Sequence, residues 1–391
     1  MSIEETRLMH PDLPQPGEHE SQVSEELAET IRAEIDNANG SISFARFMDL
    51  ALHAPGLGYY AAGAHKLGAE GDFVTAPELG SLFARCLAHQ CAQVLSETAG
   101  DILEFGPGSG ALAAALLPEL ERLDALPQRY LLLETSADLR ARQQQRLAGA
   151  PPHLRDRIQW LDELPDGFQG VMIANEVLDA MPVEIFRTGE SGISQRRVRR
   201  SGNGFDWQDE PASPELVRRV EALDLPPAYV SEINFAAEAW IHSIAAILNR
   251  GVVLLVDYGF PRHEYYHPQR HEGTLMCHYR HRAHDNPLIL VGLQDITAHV
   301  DFTAMAQAAV DSGLDVLGYT SQAAFLLGSG LDELLARSDP EDARTHITLA
   351  AEAKRLTLPS EMGELFKVLA LGRGVDTPLR GFAVDDRRGR L

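Results

Sequence analysis

DILEFGPGSGALAAALL, residues 101–117, is the stretch on which the fold turns. A short apolar run (Ile102, Leu103, Phe105) carries one acid, Glu104. Three glycines follow at alternate positions, Gly106, Gly108 and Gly110, and Ala111 to Leu117 then reads as a helix. The order is strand, tight loop, helix. Glycines let a ligand approach the backbone closely, and a helix N-terminus offers N–H groups without intrahelical partners. The loop fits G-x-G-x-G, common among S-adenosylmethionine (SAM) enzymes. Through Gly106, Gly108 and Ala111 it also fits the dinucleotide pattern G-x-G-x-x-A. Glu104 separates the two. A carboxylate at the end of a buried strand is costly unless paired. The sulfonium and ammonium of SAM would pair it, whereas a pyrophosphate would be repelled.

Around this stretch, short apolar runs alternate with helical patterns. Tyr130–Leu133 is a second strand, Arg157–Leu161 a third, Val171–Ala174 a fourth and Gly251–Val256 a fifth. That alternation predicts parallel βαβ units with helices on both faces, and ligands bind at the carboxyl ends of such strands. Those ends are polar: Glu104, then Glu134, then Asn175 and Glu176 with Asp179 close behind, then Asp257 and Tyr258. Glu134 stands near the usual ~20-residue spacing after the glycines for the acid that accepts from ribose hydroxyls. Asp315–Tyr319 and Leu365–Leu371 read as sixth and seventh strands around a helical detour at 323–357. That ending fits the antiparallel close of a class I methyltransferase sheet and not an NAD-binding Rossmann fold. The expected fold is α/β, a Rossmann-like sheet with a helical N-terminal region and helical insertions.

The organisation expected from the rest follows. Residues 1–22 are polar and read as a flexible tail, with neither signal-peptide nor transit-peptide character, so a cytoplasmic protein is expected. Residues 23–98 read as a mostly helical region, with Ser24 and Ser43 as helix caps. Residues 99–372 form the methyltransferase-like domain. Its interval 186–225 reads as an antiparallel excursion or flexible insertion, and its RRVRR as a solvated strand face. Pro226–Leu248 reads as a helix, and residues 373–391 as a mobile tail. The net charge of −23 argues against a nucleic-acid partner, and no apolar run approaches a membrane span. Cys86, Cys91 and Cys277 lack metal spacing and read as buried thiols. Arg262–His284 holds six histidines but no tight H-E-x-x-H, and its Cys277 lacks metal spacing, so a lid or substrate loop is expected there and no metal.

The chain resembles the MidA-type SAM-dependent methyltransferases, a family that includes a mitochondrial complex I assembly factor methylating arginine. The resemblance rests on GDFVTAPE (71–78), LEFGPGSG (103–110), ANEVLDAMPV (174–183), VDYG (256–259), HRAHD (281–285), DITAHVDF (295–302), SQAAFL (321–326) and MGELFKVL (362–369). It covers roughly residues 24–372, in family order. Where Ser109 stands the family often has arginine. The resemblance implies a SAM-dependent methyltransferase with SAM as cofactor, residues 23–98 closing on the cofactor site, and a protein arginine as acceptor, with a respiratory-complex subunit as one candidate substrate. Expected cofactor contacts are Thr75, Glu104, Gly106, Gly108, Gly110, Glu134, Thr135, Leu161 and Asn175. Expected catalytic groups are Glu176, Asp179, Asp257 and His281, the last as a proton acceptor. Two other readings stay open at this point: an NAD-dependent oxidoreductase, and a SAM-binding assembly factor with little turnover.

Overall fold

The computed structural model describes residues 13–61, 75–337 and 342–391. Residues 1–12 and the first four positions of GDFVTAPE (71–74) lie outside the described residues. The central sheet contains Asp101–Phe105 (β1), Tyr130–Leu133 (β2), Ile158–Leu161 (β3), Phe168–Asn175 (β4), Leu248–Phe260 (β5), Asp315–Ser321 (β6) and Phe366–Arg373 (β7). The strand order is β6-β7-β5-β4-β1-β2-β3, and the short strand Val300–Asp301 pairs with the end of β5. All neighbours from β5 to β3 are parallel, while β7 runs antiparallel to both β5 and β6. Chain order reverses between β1 and β4. Their carboxyl ends diverge there, the usual place for a ligand in an open α/β sheet.

Period-two alternation builds both faces. Ile102, Leu132, Val171, Ile173, Val252 and Leu254 share one apolar cluster with helices Leu82–Thr98 and Ala111–Arg122. Leu103, Leu131, Met172, Ala174, Val253 and Leu255 face the other way, against helices Phe235–Ile247 and Phe302–Asp311. Strands buried on both faces are why these segments read as near-continuous apolar runs.

The excursion after β4 is a separate antiparallel sheet. Glu184–Gly189, Gly192–Ser201 and Gly204–Pro211 pair with one another, joined by Ser41–Ser43 and Val230–Ile233. Its RRVRR run pairs with acids: Arg196 with Asp209, Arg197 with Glu210, Arg199 with Asp206 and Arg200 with Asp36. A third sheet joins Arg282–His284, Met276–Tyr279 and Asp295–Thr297.

Several expectations need correction. The first helix begins at Glu18, six residues before Ser24, and Arg280 reaches Glu20 at 2.7 Å. Pro226–Leu248 is not one helix. Val230–Ile233 is a strand, and Asn234 opens the helix by accepting the Ala237 N–H at 2.8 Å. Residues 373–391 are not a mobile tail. Val375, Leu379 and Phe382 are buried in the main core, and Arg387 bridges Glu364 at 2.9 Å. Phe382 packs edge-on against Phe325 with ring centroids 5.5 Å apart. It also lies over Gly318, where a Cβ would come within 2.4 Å of the Phe382 ring. The polar look of this segment comes from arginines and aspartates that pair with each other and with the body of the protein.

Phe382→Ala is therefore expected to lower the free energy of unfolding by about 3–5 kcal/mol, the usual cost of emptying a buried phenylalanine site. Urea denaturation measures it, and a loss below about 1 kcal/mol would contradict the packed C-terminal segment.

Candidate functional site

At the sheet switch the carboxyl ends of β1, β2, β4 and β5 open into a cavity of about 630 Å3, within the range of small-molecule sites. Gly106, Gly108 and Gly110 carry φ of +56°, +54° and +81°. Those left-handed values strain any side chain. At Gly106 a Cβ would also stand 3.2 Å from Val177 Cγ2. Helix Ala111–Arg122 starts directly after the loop, and no side chain caps its first turn.

The loop is tied to β2 by a residue that no sequence pattern singled out. Gln143, fully buried, donates to the Gly108 carbonyl at 2.9 Å and to Glu134 Oε2 at 3.1 Å. It also accepts the Trp160 indole N–H at 2.9 Å. From outside, Glu78 accepts from Ser109 Oγ and from Arg146 at 3.1 Å, and Arg146 donates to Ser109 Oγ at 2.7 Å. The GDFVTAPE block thus ends against the glycine loop.

The carboxylates follow in strand order. Glu104 accepts from the Tyr130 hydroxyl at 2.7 Å, and burial pushes its pKa up to about 7. Glu134 accepts the Ser136 N–H at 2.8 Å and is also raised by burial. Glu176 stands just after β4 with φ +53°, a conformation that costs a non-glycine residue about 1–3 kcal/mol. It accepts from Asn175 Nδ2 at 2.9 Å. Burial first, and then the charge of Asp179, raise its pKa to about 8. Asp179, raised by burial to about 6, has one buried oxygen, Oδ1, without a hydrogen-bond partner. Asn175 Oδ1 is likewise buried and unpartnered.

Of the residues expected from sequence, Thr75, Glu104, Gly106, Gly108, Glu134, Thr135, Asn175, Glu176 and Asp179 line this cavity. Four do not. Gly110 lies behind the loop, against Gln143. The Leu161 carbonyl accepts from Arg140 at 3.1 Å and its side chain packs on the core. Asp257 is engaged by backbone: Oδ2 accepts the N–H groups of Val177, Leu178 and Asp179 at 3.2, 3.0 and 3.3 Å, and Oδ1 that of Tyr258 at 2.9 Å. It positions the turn after β4 and offers no face to the cavity. His281 is exposed at the hairpin between Met276–Tyr279 and Arg282–His284, with φ +61°. The histidine of that loop which reaches the cavity is His278. Sequence reasoning also missed His53, Tyr60 and Trp240 as lining residues. Asp295 was visible only as the first letter of DITAHVDF.

The lining holds six acids, Glu78, Glu104, Glu134, Glu176, Asp179 and Asp295, and no Lys or Arg among the described residues. Such a set suits a ligand that brings its own positive charge. The glycine cradle, the Glu134 carboxylate and the unpartnered amide oxygen of Asn175 fit a nucleoside joined to a cationic tail, and SAM is such a molecule.

Comparison with known proteins agrees. The family described as "Putative S-adenosyl-L-methionine-dependent methyltransferase" matches residues 86–320. A crystal structure of a Burkholderia thailandensis protein bound to S-adenosyl-homocysteine is 47% identical and covers 97% of this chain and 100% of its own, with a TM-score of 0.94. The zebrafish mitochondrial protein arginine methyltransferase NDUFAF7 is 28% identical, over 85% of this chain and 84% of its own length. The human NDUFAF7 is 27% identical, over 85% and 80%. These relatives are mitochondrial by name, which corrects the cytoplasmic expectation: the composition of the first residues does not establish that location. With an oxidoreductase thereby excluded and SAM as its cofactor, the chain belongs to the S-adenosyl-L-methionine-dependent methyltransferase family.

Proposed function

We propose that this enzyme methylates a side-chain nitrogen of arginine in a protein. The observation that carries the reading is the charge of the cavity, six acids and no basic Lys or Arg among the described lining residues. That the zebrafish and human relatives are named protein arginine methyltransferases supports the same acceptor. A respiratory-complex subunit is the first protein to test.

In this reading Gly106, Gly108, Thr75, Thr135 and Asn175 hold the cofactor by close approach and hydrogen bonding. Glu134 accepts from both ribose hydroxyls, and Glu104 faces the cationic tail. Bound there, SAM supplies a methyl group on a positively charged sulfur. Glu176 and Asp179 then take the guanidinium as a fork of donors. Their charges draw the cation's charge towards the held nitrogens and leave the attacking nitrogen richer in electrons. Asp257 acts through the Val177–Asp179 turn, keeping both acids in place. The aromatic and apolar wall, Tyr59, Tyr60, Met181 and Trp240, keeps water from the reacting atoms.

Transfer of a labelled methyl group into a cell extract, followed by amino-acid analysis, is expected to put the label in methylarginine. Label in lysine or in a small molecule instead would overturn the acceptor. Glu134→Ala should weaken SAM binding more than tenfold by calorimetry, whereas unchanged affinity would remove the ribose role. Glu176→Gln should cut turnover at least about a hundredfold while cofactor affinity stays within about threefold. Full activity of that variant would sink its assignment.

SAM affinity should also depend on pH. Glu104 holds its proton below about 7 in the free protein. A cation binds the ionised form and releases that proton, so affinity falls as pH drops through 7. Between pH 8 and pH 6 the loss should be about tenfold, one pKa unit being a factor of ten. A flat calorimetric profile would contradict the pairing of Glu104 with the cofactor.

A further inference from the structure

The cavity has two walls of different origin. One is the carboxyl edge of the central sheet, with Glu104, Glu134, Glu176 and Asp179. The other lies outside that sheet: Tyr59 and Tyr60 follow helix Phe44–His53, and His278, Asp295 and Thr297 belong to the three-stranded sheet. The Tyr60 hydroxyl donates to Asp295 Oδ1 at 2.8 Å. Its ring stacks on His53, centroids 5.6 Å apart and planes 21° from parallel, and meets the edge of Tyr59 at 5.1 Å. Asp295 is 7% exposed and pairs in register with His278. Like Glu176 and Asp179 it lines the cavity, and its charge adds to that of Asp179 in raising the pKa of Glu176.

We propose that Asp295, oriented by Tyr60, is the residue that selects the acceptor: it receives the edge of a guanidinium opposite to the edge held by Glu176 and Asp179. This rests on the arginine reading above and deepens it. An ammonium is a compact charge with three donors on one atom, and the two acids of the sheet edge satisfy it. A guanidinium is planar and carries five donors around its rim, so it needs acceptors on more than one side of its plane's perimeter. A third carboxylate from the facing wall supplies that side. Tyr60, pinned between His53 and Tyr59, fixes the orientation of that carboxylate by occupying Oδ1. Because Asp295 and Tyr60 stand outside the cofactor-holding strands, acceptor choice and cofactor affinity are separable.

The test uses calorimetry on the full chain saturated with S-adenosylhomocysteine, titrated with N-acetyl-arginine amide and with N-acetyl-lysine amide. The wild-type complex should bind the arginine amide more tightly than the lysine amide. Asp295→Asn should weaken the arginine amide at least about tenfold, the usual loss of a charge-assisted hydrogen bond, and leave the lysine amide and S-adenosylhomocysteine within about twofold. Tyr60→Phe should weaken the arginine amide about threefold, and Asp295→Glu should recover part of the loss. Tyr60→Phe keeps the carboxylate group and removes only the hydrogen bond that orients it, so it decides the question if Asp295→Asn does not fold. Equal binding of the two amides by the wild type, or unaltered arginine preference in the variants, overturns the proposal. Methyl label found on lysine in the extract overturns the arginine reading itself, a separate outcome.

Discussion

The carboxylate of Asp257 accepts three consecutive backbone N–H groups, those of Val177, Leu178 and Asp179, all within 3.3 Å. It reaches across from β5 to the chain leaving β4. Each bond contributes about 1 kcal/mol, enough together to offset the left-handed backbone of Glu176. That one grip decides where Glu176 and Asp179 stand. The Ala298 N–H then bonds the Asp179 carbonyl at 2.9 Å, so the facing wall that carries Asp295 is anchored to the same turn. Loosening Asp257 would shift both sides of the cavity at once.

The second organising fact is the charge left unbalanced by the protein itself. Glu104 keeps a neutral tyrosine partner and Glu176 a neutral asparagine. Elsewhere a buried acid can be balanced by bases. Glu119, which accepts from Arg85, His89 and Arg122, has its pKa pulled down to about 2 by those bonds. The contrast lies within one molecule. Glu119 has arginine partners, whereas Glu104 and Glu176 in the cavity have neutral ones. The strained, uncompensated groups collect where ligands bind, as physical reasoning expects of a functional site.

The sheet was legible in the sequence because parallel strands buried on both faces leave short apolar runs, and their polar terminators mark one edge. Glu104, Glu134, Glu176 and Asp179 could be read for that reason. Asp257 shared the signal but not the role, since a strand-end acid that grips backbone looks the same in sequence as one that meets a ligand. Gln143 left no trace, being one glutamine among three in RARQQQRL, and only the helix's rotation singles it out. Tyr60 and Asp295 are 235 residues apart in the chain and meet only through tertiary packing. His281 falls in the hairpin turn and His278 on the strand before it, and nothing in the irregular histidine-rich run marks where the chain turns. The C-terminal segment was misread from its charges, whose partners are far away in sequence.

β7 is inserted between β5 and β6, and it is the last of the three to be made. During synthesis the growing sheet therefore holds an open edge on β5, buried on both faces but unpaired along its backbone, until residue 373 has left the ribosome. At about 5–20 residues per second that interval lasts many seconds. An unpaired apolar strand edge is a template for joining other chains. The topology that gives the enzyme its closed antiparallel ending thus leaves that edge of β5 as the last in the sheet to be covered.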